Sequence, residues 1–149
     1  AAFALAGLRL GFALGAPELI AALYKLKDSY NVDRLAQLIA LAALNDVQWM
    51  QANARRIVAT RERVTAALQQ RGFYVVPSAA NFLFAQPPDG LPAEQLFAAL
   101  RQKNILVRYF PGARTGRFLR ISIGTDAEMD ALLTALSEIP VDGSAGKRV

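Results

Sequence analysis

Residues 69–86 read QQRGFYVVPSAANFLFAQ, and the change of hydrophobic period inside this stretch decides the fold. Before it, Val47, Met50, Ala54, Ile57, Val58, Val64 and Leu68 recur at three-to-four spacing. That spacing predicts one long amphipathic helix, started at Asn45 or Asp46 and ended by Gly72. After Gly72 the period falls to two. FYVV (73–76) reads as a short strand, PSAA turns, and NFLFA (81–85) reads as a second strand rich in β-forming residues.

Downstream, the loop QPPDGLP leads to Pro92, which opens a helix AEQLFAALRQK that stops at Asn104. ILVRYF (105–110) and RFLRISIG (117–124) are predicted strands joined by the turn PGARTG. TDAE (125–128) is a capping box, and the helix behind it runs to Pro140. VDGSAGKRV (141–149) reads as a flexible tail. Strand, strand, helix, strand, strand, helix defines an α+β layer: a small mixed or antiparallel sheet with helices on one face.

Upstream, GLRLGFAL (7–14) reads as a strand, and APELIAALYKLKD as a helix with Pro17 in its first turn. SYNVD (29–33) interrupts, and Asp33 can cap the next helix through about Leu44. A lone strand needs a sheet to join. The expectation is that this segment ends a larger domain and that the sequence is the later piece of a longer chain.

Composition excludes much chemistry. With no Cys among 149 residues there are no disulfides, thiolate metal sites or cysteine nucleophiles. With no His, the usual general base and the Ser-His-Asp constellation are absent too. Net charge is +5, from 17 Lys and Arg against 12 Asp and Glu, but the arginines are scattered. No run of like charges occurs, and along the chain the aromatics do not interleave with the arginines as stacking platforms would, so no nucleic-acid partner is expected. Residues 1–16 are apolar, yet they carry Arg9, lack a basic leader and fall short of the ~20 residues a membrane span needs. No membrane association is expected.

Three arginines stand in apolar, strand-like contexts: Arg9 in GLRLG, Arg108 in ILVRY and Arg120 in FLRIS. Alternation puts Arg120 on the same face as Phe118 and Ser122. Each could lie on a solvated sheet face. Guanidinium forks also match carboxylate and phosphate, so three converging arginines would recognise an anionic substrate and an anionic cofactor.

FALAGLRLGFALGAPELIAAL, DSYNVDRLAQ, PSAANFLF, NILVRYFPG and FLRISIGTDAEMDALLTAL occur in an order and spacing that resemble the C-terminal part of histidinol-phosphate aminotransferases. These are fold-type I enzymes that use pyridoxal 5'-phosphate. The resemblance covers nearly all of residues 1–140, and its most specific pieces are GLRLG, LVRYF and LRISIGT. It implies that Arg9 binds the cofactor phosphate, and that Arg120 and Arg108 receive the anionic end of the substrate. Asn81 matches the family's NF asparagine near the domain hinge, where a turn-capping role fits equally well. Tyr30 and Asn31 resemble the family's PYNVN segment near the active site, with Ser29 in place of the usual proline. The Schiff-base lysine falls at Ala1, so no catalytic residue is assigned in this sequence and the piece alone is expected to be inactive.

The resemblance further implies a division into the end of a cofactor-binding large domain (1–45), an interdomain helix (46–72), a C-terminal small domain (73–140) and the tail (141–149). The implied activity is transamination between histidinol phosphate and 2-oxoglutarate or glutamate in histidine biosynthesis, by a cytoplasmic homodimer acting on small molecules. The alternatives are another fold-type I aminotransferase or decarboxylase, or a non-catalytic module that binds an anion or a partner.

Overall fold

The structure is a computed structural model and describes residues 3–140. The predicted tail 141–149 and Ala1 lie outside the described residues. The chain divides into two compact units, with the boundary between Ala54 and Arg55.

In the first unit, a 3-10 turn at Ala6–Leu8 precedes α1 (Pro17–Leu26) and α2 (Arg34–Asn45). Pro17 occupies the opening of α1, where its missing N–H costs nothing, with Glu18 in the first turn and Lys25 in the last. Asp33 caps α2 as expected, its carboxylate accepting the Ala36 N–H at 2.8 Å. The expected strand over 7–14 is not formed. An extended segment holds only if its N–H and C=O groups pair across a ladder, and no other strand occurs among the described residues of this unit. The backbone bonds locally instead: Leu8 N–H to the Leu5 carbonyl and Arg9 N–H to that of Ala6, with Arg9 at a left-handed φ of 56°.

The long helix α3 (Val47–Gln70) crosses the boundary and begins where the Asp46 carboxylate accepts the Trp49 N–H at 3.2 Å. Its end is a Schellman motif. Gly72, at φ 81°, donates to the Gln69 carbonyl, and Phe73 donates to that of Leu68.

The second unit continues with β1 (Tyr74–Val76), β2 (Phe82–Gln86), α4 (Ala93–Gln102), β3 (Arg108–Tyr109), β4 (Leu119–Ser122) and α5 (Asp126–Glu138). The strands form one fully antiparallel sheet in the order β1-β2-β4-β3. Of the two sheet types left open by the sequence, this is the antiparallel one. β3 is only two residues long, against the six expected, and β4 covers the middle four of its predicted eight.

Register sets the two faces. Val75 faces Ala85, Ala85 faces Leu119, and Leu83 faces Ile121. These five side chains are buried in one core with Val64 and Leu68 of α3, Leu96 and Leu100 of α4, and Met129, Leu132 and Ala135 of α5. Helices therefore cover a single face of the sheet, and burying a Leu or Ile there contributes about 1.5–3 kcal/mol each. α4 ends like α3, with Asn104 at φ 59° taking the left-handed place and Ile105 donating to the Leu100 carbonyl. The predicted capping box is present: Thr125 and Glu128 each accept the other's backbone N–H.

Candidate functional site

The opposite face of the sheet carries a row of a different kind. Val76 pairs with Phe84, Phe84 with Arg120, and Arg120 with Arg108. Beside this row Phe84 stacks on Phe118, ring centres 4.6 Å apart, and Tyr74 meets Phe118 edge-on at 6.4 Å. The Arg120 guanidinium lies 5.5 Å from the ring centres of both Phe82 and Phe110, and that of Arg108 lies 5.9 Å from Phe110. The sheet register thus gathers around the arginines aromatics that do not interleave with them along the chain.

Arg120 is half-buried, and its Nε is fully buried without a hydrogen-bond partner. Among the described residues no carboxylate pairs with Arg108 or Arg120. Two like charges directly opposite on adjacent strands repel. An arrangement that brings them together and supplies no acid is suited to an anion from outside the protein.

Asn81 immediately precedes β2, and its carbonyl accepts the Ile123 N–H at 2.9 Å, extending the β2–β4 contact. Its side chain is exposed and does not cap the turn. Ser78 does so, its hydroxyl donating to the Phe82 carbonyl at 2.7 Å and accepting the Ala80 N–H at 3.1 Å. Arg61 of α3 donates to the Ala80 carbonyl at 2.9 Å and ties the same turn to the helix.

In the first unit, Arg9 and Asn31 line one cleft of about 350 Å³ with Val32, Asp33 and Ala36. The Arg9 Nη1 donates to the Ala6 carbonyl at 3.1 Å, which orients the guanidinium, and its other side-chain donors have no partner among the described residues. Tyr30, at φ 57° and 97% exposed, does not line that cleft. The structure therefore brings together Arg9 with Asn31 in one unit and Arg108 with Arg120 in the other. No group of residues that could hold a metal ion occurs among those described.

Two features escaped the sequence. Phe110 stands two residues beyond Arg108, so alternation alone places both on one face and could have revealed the contact. The second is a polar clamp between α3 and α5: Arg63 pairs with Asp126 at 2.9 Å and Asp130 at 2.6 Å, and Thr60 donates to Asp126 at 3.0 Å. The Arg63 guanidinium and then the Thr60 hydroxyl hold the Asp126 carboxyl below its ordinary range. The Thr125 backbone N–H and then its hydroxyl do the same for Glu128. Sequence separations of 66 and 63 residues hid this clamp from any local pattern.

The chain belongs to the aminotransferase class I and II family, whose model matches residues 2–136. Within that family it is similar to histidinol-phosphate aminotransferase 1 of Bordetella parapertussis, 50% identical over 138 residues that make up 91% of this chain and 38% of that protein. It is likewise similar to histidinol-phosphate aminotransferase 2 of Burkholderia mallei, 49% identical over 138 residues with the same coverage. Among solved structures, histidinol-phosphate aminotransferase from Sinorhizobium meliloti in complex with pyridoxal-5'-phosphate superposes with a TM-score of 0.82 at 31% identity, over 92% of this chain and 38% of that one. The chain thus spans well under half the length of the relatives it matches. Among the described residues no helix is long and apolar enough to cross a membrane.

Proposed function

We propose that this chain forms part of an aminotransferase that exchanges the amino group between histidinol phosphate and 2-oxoglutarate or glutamate. The observation that carries this reading is the Arg108–Arg120 pair: two guanidiniums opposite one another on antiparallel strands, without an acidic partner, one with a buried unpartnered Nε. Family membership and the names of the relatives support it, and favour it over a freestanding anion-binding module. The substrate end held there carries phosphate or carboxylate, and the guanidinium forks match both.

Pyridoxal 5'-phosphate, when bound, supplies the electron sink for the chemistry. The residues of the first unit fit its anionic end: Arg9 keeps donors without a partner among the described residues, lines a cleft with Asn31, and has its guanidinium steadied by the Ala6 carbonyl. Arg9 would hold the cofactor phosphate. Arg120 and Arg108 would receive the substrate anion with Asn81 in the second unit, and Tyr30 and Asn31 would be the substrate-binding residues of the first. Residues 1–45 would then close the large domain, 46–72 link the domains, and 73–140 form the small domain. Phe12, Leu14, Leu26 and Leu38 are exposed on the first unit, as they would be if the rest of a larger domain covered them; the enzyme we propose is a cytoplasmic homodimer, as the family resemblance implies.

The test is Arg120→Ala in the full-length enzyme. A KM raised about a hundredfold for both glutamate and histidinol phosphate is expected from losing a charge-assisted bidentate contact. An unchanged KM for both would remove the anion clamp and the substrate assignment with it.

A further inference from the structure

The two arginines of the clamp are not held alike. Arg120 sits on β4, a central strand, and is flanked by both Phe82 and Phe110. Arg108 sits on β3, a two-residue edge strand, and the only ring it meets among the described residues is that of Phe110. So short a ladder fixes the Arg108 backbone at two pairings and does little to fix a long flexible side chain. The Phe110 backbone is itself tied down, because its carbonyl accepts the Thr115 hydroxyl at 2.8 Å at the mouth of the turn before β4.

The negative face of an aromatic ring attracts a cation without neutralising it. A carboxylate between the two guanidiniums would relieve their repulsion further, but it would occupy their donors and cancel the charge that a ligand anion needs. Phe110 relieves part of that repulsion and leaves both forks available. We propose that Phe110 is a positioning residue: it holds Arg108 beside Arg120 so that the pair grips a dianionic phosphate in preference to a single carboxylate. This inference rests on the reading of Arg108 and Arg120 as the substrate-anion clamp.

The experiment compares Phe110→Leu, Phe110→Tyr, Arg108→Ala and Arg120→Ala in the full-length enzyme, with histidinol phosphate and glutamate as separate amino donors. Leucine keeps the apolar bulk and loses the ring face; tyrosine keeps the ring. Phe110→Leu is expected to raise the KM for histidinol phosphate about fivefold. Its KM for glutamate should rise clearly less than that for histidinol phosphate, because Phe82 still holds Arg120. Phe110→Tyr should recover most of the loss. The proposal is overturned if Phe110→Leu behaves as the parent while Arg108→Ala raises the KM for histidinol phosphate. It is also overturned if leucine and tyrosine fail alike, or if the loss falls equally on both donors. Should Arg108→Ala and Arg120→Ala also leave the KM for histidinol phosphate unchanged, the clamp itself is absent and the proposed substrate falls with it.

Discussion

The two units form their helices by the same local rules and differ in what those helices bury. α1 and α2 carry Pro17 and Asp33 at their starts, as good as any signal on α5, yet Ala36 is the one buried side chain among the described residues up to Ala54. Leu19, Leu23, Leu26, Leu35, Leu38 and Leu41 on those helices are exposed. From Val64 onward β1, β2, β4, α4 and α5 supply buried side chains to one core, and Tyr109 of β3 packs against it. Caps and periodicity write a helix into a sequence; burial decides whether it belongs to a stable unit.

The largest expected effect breaks or upholds this contrast directly. Leu119→Ala removes a fully buried side chain from the centre of the sheet and should cost about 2–5 kcal/mol in urea unfolding. In residues 1–149 alone, Leu14→Ala, at a site 92% exposed, should stay within about 0.5 kcal/mol. Equal losses would mean that the first unit has a core of its own.

A smaller effect is expected at the start of α5, where Thr125→Ala breaks the capping box and should cost about 1 kcal/mol in the same unfolding experiment. A comparable loss from Asp33→Ala would show that α2 is coupled to the same cooperative transition. No loss would confine that transition to the second unit.

The smallest effect is a pH dependence. Asp126 and Glu128 have folded-state pKa values lowered below their ordinary 3.8 and 4.5, by Arg63 and Thr60 for the first and by Thr125 for the second. A lowered folded value means that stabilisation is present above the ordinary pKa and lost as pH falls through the folded one. Unfolding of the second unit should therefore ease as pH drops below 3.8–4.5, and Arg63→Ala should flatten that slope by removing the Arg63 part of the Asp126 share, leaving that of Thr60. A slope unchanged by Arg63→Ala would show that the clamp between α3 and α5 contributes nothing in solution.

Legibility in the sequence follows the range of the interaction. The ends of α3 and α4 at Gly72 and Asn104, and the capping box at Thr125 and Glu128, are set within one or two turns of chain and were readable there. The face shared by Arg120, Phe118 and Ser122 follows from alternation. The strand expected over 7–14 failed because its alternation and glycines say nothing about a partner strand. The pairing of Arg108 with Arg120, the shortness of β3, and the Arg63–Asp126 clamp all depend on register between distant segments. Asn81 shows the same limit at a single residue: the sequence offered its side chain as a cap, whereas its carbonyl joins the sheet and Ser78 makes the cap.

The edges of the sheet have a consequence for solubility. The two outer strands are β1, three residues long and followed at once by Pro77, and β3, two residues long and followed after Phe110 by Pro111. Proline offers no N–H to an incoming strand, and a charged residue such as Arg108 on a short border is a poor template for one. Arg108, which we propose receives the substrate anion, thus also makes the sheet's open margin a poor template for self-association.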